Sequence, residues 1–273
     1  MFIDLTIPPG LYRNGTDYQT KGRYYDADLV RFYEGQTRPI GGWEVRSTAA
    51  IPGKIRAMIG WRDNQGQKWA GIGSHTNLYV MTITGNLRDI TPDGLDTGRA
   101  DATLGGGYGI GAYGAGNYGT VRGDIDTAIP ASVWSLDNWG ENLVGVMEKD
   151  GIIYEWRPNR GEIAKPIQNA PKAAAILATE QDILVALGAN GDPRLIKWSA
   201  QQNNTDWDAS ANNAAGDWRL KTKGKIQTGI TTPNGFLVFT ETDVHRANYS
   251  GAQFVYGFEA ISDVAALISK NAA

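Results

Sequence analysis

The feature that most constrains this chain is a fourfold recurrence of short apolar runs separated by tight-turn dipeptides. From Ile55 the sequence reads IRAMIGWR, KWAGIG, NLYVMTI and LRDITP, and from Ala131 it reads ASVWSLDNWG, ENLVGVM and IIYEWR. From Ala173 come AAAILATE, QDILVALG and RLIKWS, and from Lys225 come KIQTGITTPNG, FLVFTE and DVHRANY. Runs of this length, rich in Val, Ile, Leu, Tyr and Trp, have the composition of β-strands. Asn14-Gly15, Asp93-Gly94, Asp150-Gly151, Asn190-Gly191 and Asn234-Gly235 tolerate positive φ and read as turns. Alanine-rich helical composition is confined to 172–179 and 260–273, and the first of these runs straight into the apolar stretch 183–187, so it reads as a strand. An all-β chain is expected.

Each unit places a strand, a short turn, a very apolar strand, a hairpin, and a strand ending in aromatic or charged residues. The second strands (69–72, 143–147, 183–187 and 236–239) are apolar enough to be buried on both faces. The later strands mix Tyr, Trp, Lys and Glu and suit half-exposed outer positions. Val185 follows Leu143 by 42 residues, and Val238 follows Val185 by 53. A four-stranded propeller blade takes roughly 40–50 residues. Units of this size cannot bury a core alone and stack radially. The expected fold is a β-propeller over residues 55–273, with four blades visible and a fifth begun by FEAISDVAALISKNAA at 258–273, preceded by an N-terminal arm and strand region at 1–54.

The longer interval between the first two units holds GGGYGIGAYGAGNYG at 105–119, with Tyr108, Tyr113 and Tyr118 spaced five apart. So many glycines forbid a packed strand interior. Two readings stand: a surface loop, or a Gly/Tyr ribbon that lays its tyrosines on a neighbouring subunit.

Chemistry is sparse. The chain has no cysteine, which removes disulfides, thiolate catalysis and cysteine metal sites. Its two histidines, His75 and His245, lie apart beside strands, with no further ligand at metal spacing, and read as surface or strand-end residues. Gly109–Gly114 formally matches GxGxxG but lacks the preceding strand and following helix of a dinucleotide fold. Ser135-Leu136-Asp137-Asn138-Trp139-Gly140 approaches the Asp-box of sialidase propellers, yet its glycine comes one position late, and Asp137-Asn138 reads better as a hairpin turn. The stretch 203–213 (NNTDWDASANN) is rich in oxygen ligands but lacks the glycine and terminal glutamate of an EF-hand loop, so it reads as a polar inter-strand loop. No enzyme activity, cofactor or metal is expected. The opening MFIDLTIPPG has no signal-peptide character, and no apolar run approaches the ~20 residues of a membrane span, so no membrane anchor is expected. The formal charge of −3 argues against holding nucleic acid by net field.

The N-terminal segments LYRNGT (11–16), GRYY (22–25), LVR (29–31) and RPIGGW (38–43), together with the Gly/Tyr insertion, resemble a family of phage virion structural proteins that includes tail nozzle proteins of short-tailed phages. The resemblance covers 11–43 and 105–119 closely and the rest by strand rhythm alone. It implies a propeller that assembles, as a hexameric ring, around the tail channel. There it would contact other tail, portal or adaptor proteins and let DNA pass without specific binding, after assembly in the host cytoplasm. A receptor- or carbohydrate-binding tail protein is the alternative. Independently of the family, Tyr12, Tyr18, Tyr24, Tyr25, Phe32, Tyr33 and Trp43 are interleaved with Arg13, Arg23, Arg31 and Arg38, residue types enriched in interface cores. The segment either joins subunits or packs across the propeller as a closing strand. The candidate interface residues are Tyr108, Tyr113, Tyr118, Arg13, Tyr24, Tyr25, Arg31, Arg38 and Trp43.

Overall fold

The computed structural model describes residues 7–16, 18–42, 44–102, 129–251 and 255–272. The chain forms two compact units, Met1–Arg46 and Ser47–Ala273. The first unit carries one hairpin, β1 (Val30–Tyr33) and β2 (Gln36–Pro39), which pairs Arg31 with Arg38 and Tyr33 with Gln36. Its two-residue turn, Glu34-Gly35, takes φ values of 49° and 74°. Positive φ at both positions gives a turn whose twist matches the flanking strands.

The second unit holds four antiparallel sheets, each a meander of four consecutive strands. The first sheet is β3 (Ile55–Arg62), β4 (Lys68–Ser74), β5 (Leu78–Thr82) and β6 (Leu87–Asp89). The second is β7 (Trp134–Trp139), β8 (Asn142–Met147), β9 (Ile153–Trp156) and β10 (Lys165–Pro166). The third is β11 (Ala175–Ala178), β12 (Leu184–Leu187), β13 (Leu195–Trp198) and β14 (Gly216–Arg219). The fourth is β15 (Ile226–Thr232), β16 (Gly235–Thr240), β17 (Val244–Tyr249) and β18 (Tyr256–Ser262). No α-helix occurs among the described residues, and the fold is all-β.

Local chemistry sets the hairpins. Between β3 and β4, one Asp63 carboxylate oxygen accepts from the amides of Gln65 (3.0 Å) and Gln67 (2.9 Å), and the other accepts from Trp69 Nε1 (3.0 Å). The indole hydrogen bond, followed by these amides, holds the Asp63 carboxyl below its usual range despite partial burial. Between β8 and β9, Gly151 adopts φ 72°, where a side chain would be strained.

Three apolar cores each join consecutive sheets. Trp61, Leu78 and Val80 meet Trp134, Leu143 and Trp156 between the first and second. Val144, Val146 and Ile153 meet Ile176, Leu184 and Ala186 between the second and third. Leu177, Val185 and Trp198 meet Phe236, Val238 and Tyr256 between the third and fourth. The run LVGVM in β8 is apolar throughout because Leu143 and Met147 serve one core while Val144 and Val146 serve the next. Among the described residues, no buried cluster joins the fourth sheet to the first.

The first strands of the sheets are neighbours: β3 beside β7, β7 beside β11, and β11 beside β15. Side chains bond them directly. Ser135 Oγ donates to Ile176 O and accepts from Ile176 N, both at 3.1 Å, and Asp137 accepts from Ala178 N at 2.7 Å. Thr231 Oγ1 donates to Ala178 O at 2.9 Å. All four first strands line a common cavity of about 580 Å³. The C-terminal segment crosses one end of it: Leu267 N donates to Thr240 O (3.0 Å), Lys270 Nζ to Ala174 O (2.7 Å), and Asn271 Nδ2 to Arg56 O (3.1 Å). Lys270 also pairs with Glu148 at 3.2 Å. These bonds tie the chain end to all four sheets.

Four expectations are corrected. The segment FEAIS does not open a fifth blade; it lies in β18 and completes the fourth sheet, with Phe258 opposite Ala247 and Glu259 opposite Arg246. The third strands are more buried than their composition implies, because Ile153, Tyr154 and Trp156 of β9 face two cores. The exposed outer positions belong instead to the fourth strands, such as β10. Asp137 and Asn138 lie inside β7 rather than in a turn, which falls at Gly140-Glu141. His245 is buried rather than at the surface; it is the second residue of β17, near the strand's start, with Nε2 3.2 Å from Asp243 Oδ1.

Candidate functional site

Most of the candidate interface residues fall on the N-terminal unit, where the hairpin decides which of them meet. Alternation places Arg31, Arg38 and Tyr33 on one face of β1 and β2. The two guanidiniums lie over the Tyr33 ring, at 5.8 Å for Arg31 and 5.3 Å for Arg38. Like charges directly opposite on a hairpin repel; sharing the negative face of one aromatic ring offsets part of that cost. Neither arginine forms a salt bridge among the described residues, and Tyr33 remains 50% exposed. Arg38 Nη2 reaches Gln36 Oε1 at 3.4 Å, which leaves most of its donors open to solvent.

The opposite face anchors the hairpin. Tyr24 meets Phe32 with ring centroids 5.4 Å apart, and its hydroxyl accepts from Thr37 Oγ1 at 3.1 Å. A backbone hydrogen bond from Tyr12 N to Tyr24 O (2.9 Å) ties in the preceding segment. Arg13 pairs with Asp26 and leans on the Tyr25 ring at 6.0 Å, while Arg23 lies 5.6 Å over Tyr12. Arg13 thus pairs with a local carboxylate, whereas Arg31 and Arg38 do not among the described residues. Trp43 lies outside the described residues, as do Tyr108, Tyr113, Tyr118 and the whole of 105–119.

This surface offers planar donors and half-exposed rings, which suit acceptor-rich protein surfaces. The central role of Tyr33 follows from strand register; the residue order showed only that aromatics and arginines alternate there.

In the second unit, titratable groups serve structure. His75 Nδ1 accepts from Lys54 N at 3.1 Å. Burial pushes Asp243 upward, but hydrogen bonds from Thr222 and Thr240 and the neighbouring His245 hold its carboxyl below the usual range overall. Asp137 is pushed above its usual range by burial, with the amides of Ala178 and Asn138 pulling the other way. Among the described residues, no three His, Asp or Glu side chains are placed to hold a metal ion. Within 203–213, Asn213 Nδ2 donates to Asp206 Oδ2 (2.9 Å) and Asp208 O (2.8 Å), so the polar loop is held by its own side chains.

No family model matches this chain. No curated protein matches it.

Proposed function

We propose that this chain is a structural subunit of a bacteriophage tail, in which a β-propeller body carries an arginine- and tyrosine-rich arm that joins identical subunits in a ring around the DNA channel. The propeller reading is supported by four consecutive four-stranded meanders whose first strands adjoin and line one cavity. The observation that carries the assembly reading is the exposed cluster of Arg31, Tyr33 and Arg38, two guanidiniums with no ion-pair partner among the described residues on one half-exposed ring. Arg and Tyr are the residue types that dominate interface hot spots. A heterologous contact repeated by rotation closes a ring. The formal charge of −3 suits a channel that lets phosphates pass rather than holding them. No helix in the described residues is long and apolar enough to cross a membrane.

Sedimentation and negative-stain imaging of the purified chain test the reading. Closed rings are expected, with six subunits from the family resemblance, and the combined change Arg31→Ala, Tyr33→Ala and Arg38→Ala should leave folded monomers. A wild-type chain that stays monomeric at high concentration would sink the ring assignment.

A further inference from the structure

Lys270 stands between two cavities. It lines the central cavity of about 580 Å³ and a side basin of about 360 Å³ bounded by Glu148, Lys149, Lys172, Gly188 and Lys225. Among the described residues it is the one that the two share. Its ammonium donates to Ala174 O at 2.7 Å and pairs with Glu148 at 3.2 Å, and the side chain is 11% exposed. Burial pulls the ammonium below its usual range, with Glu148 acting in the opposite direction. A charge held out of water in this way is a weak fastener, because its desolvation opposes the pairing.

The segment around it, 263–272, has little else to hold it down. Of its residues only Leu267 and Lys270 are not exposed, and Val264 and Ile268 are 86% and 93% exposed. Its bonds to the sheets are polar: Leu267 N to Thr240 O (3.0 Å), Lys270 to Ala174 and Glu148, and Asn271 Nδ2 to Arg56 O (3.1 Å). The segment's own preference lies elsewhere. Ala265, Ala266, Leu267 and Lys270 are good helix formers. Ser262 Oγ already accepts from Val264 N at 3.4 Å, the contact of a helix cap. No helix forms, so local preference and docked conformation disagree.

Detachment leaves the body whole. The buried cores between the sheets include no residue of 263–272. Of the groups it frees, Ala174 and Glu148 line the side basin, where water takes the place of the lost partner. Segments with few buried apolar contacts open at the low end of a protein's range of local stabilities. We propose that 263–272 is a displaceable strap. Docked, its Lys270 closes the passage between the central cavity and the side basin. Released, the strap leaves as a unit, with the four sheets intact, and the two cavities join. The inference concerns the second unit alone and does not depend on ring assembly.

Native-state proteolysis of the full chain tests it. Trypsin cleaves after lysine, and cleavage between Lys270 and Asn271 needs the strap out of its seat. Cleavage after Lys197, inside β13 and 20% exposed, needs the third sheet to open and serves as the control. Mass spectrometry follows the new termini at urea concentrations below the unfolding transition, with a peptide substrate correcting for the effect of urea on trypsin. Local release exposes little surface, so about 2 M urea should change the rate at Lys270 by less than about twofold and raise that at Lys197 at least about tenfold. Glu148→Gln, which takes the carboxylate from the buried ammonium, should speed the clip at Lys270 at least about threefold and leave Lys197 unchanged. The urea comparison needs no variant and decides the matter if Glu148→Gln does not fold. A clip at Lys270 as steep in urea as that at Lys197 would overturn the proposal, as would a rate indifferent to Glu148→Gln. Cleavage as fast as in a free peptide of residues 263–273 would overturn it from the other side, since the docked strap would not be populated.

Discussion

In Met1–Arg46, Thr20 alone among the described residues is buried, and Tyr12, Tyr18, Tyr25 and Tyr33 are all exposed. In Ser47–Ala273, Trp134, Trp156 and Trp207 are sealed almost completely from solvent. Both units are rich in aromatic residues, yet their rings do different work. A buried ring in the body removes apolar area from water and contributes about 1.5–3 kcal/mol, with edge-to-face contacts adding to it. An exposed ring under an arginine in the arm contributes about 0.5–1 kcal/mol. The body is held by its aromatics, whereas the arm displays them. Side chains that cost little to remove from the fold are available for a partner.

The largest effect that could break this contrast is at Trp156. Its ring meets Trp69 at 5.3 Å and Trp61 at 6.4 Å, and its Nε1 donates to Glu162 O at 2.9 Å. Trp156→Ala should cost about 3–5 kcal/mol in urea unfolding. A loss below about 1 kcal/mol would mean that the body does not depend on its buried rings.

Glycines sharpen the contrast at smaller scale. A Cβ at Gly73 would sit 2.5 Å from the Trp134 ring, whereas one at Gly42 in the arm would meet nothing within 4 Å. Gly73→Ala should cost about 1–3 kcal/mol through overpacking, and Gly42→Ala should stay within about 0.5 kcal/mol. Equal costs from the two melts would dissolve the distinction.

Acidity separates the units by slope. The Asp137 carboxyl is raised by burial above 3.8, its ordinary value. The folded chain therefore binds more protons than the unfolded chain in the range above that value. This group's contribution is present at lower pH and is lost as pH rises through the folded value. Asp137→Asn keeps an acceptor for Ala178 N and should remove that trend. Relative to wild type, the variant should gain stability as pH rises from 4 toward 7, as read by melts along the series. A difference that does not change with pH would show that Asp137 has an ordinary pKa.

The smallest expected effect on stability is in the arm. Tyr33→Ala removes the ring shared by Arg31 and Arg38 and should shift unfolding by no more than about 0.5–1 kcal/mol. A loss comparable to Trp156→Ala would show that the arm is part of the core.

Legibility in the sequence followed burial. The second strands stood out because a strand packed on both faces has to be apolar at every position, as 143–147 is. The fourth strands of the later three sheets did not, although LRDITP marked that of the first. β10 is two exposed residues, Lys165–Pro166, and has no hydrophobic pattern to find. β14 follows a long polar loop, and β18 looked like a new beginning because residues 250–255 separate it from its partner β17. In the arm, the alternation of arginine and tyrosine was visible, but the convergence of Arg31 and Arg38 on Tyr33 depends on the register set by the Glu34-Gly35 turn.

By itself, then, the residue order determined that the chain is all-β and where most of its strands and turns fall, because a buried strand demands an apolar run and a turn with positive φ favours Gly or Asn. Only the tertiary structure decided which sheet each outer strand joins, and that three cores serve four sheets. It also decided that Trp198 is sealed while Trp218, on the neighbouring strand, keeps one face open. Burial of a side chain is set by what lies across from it, and that is not written in its own segment.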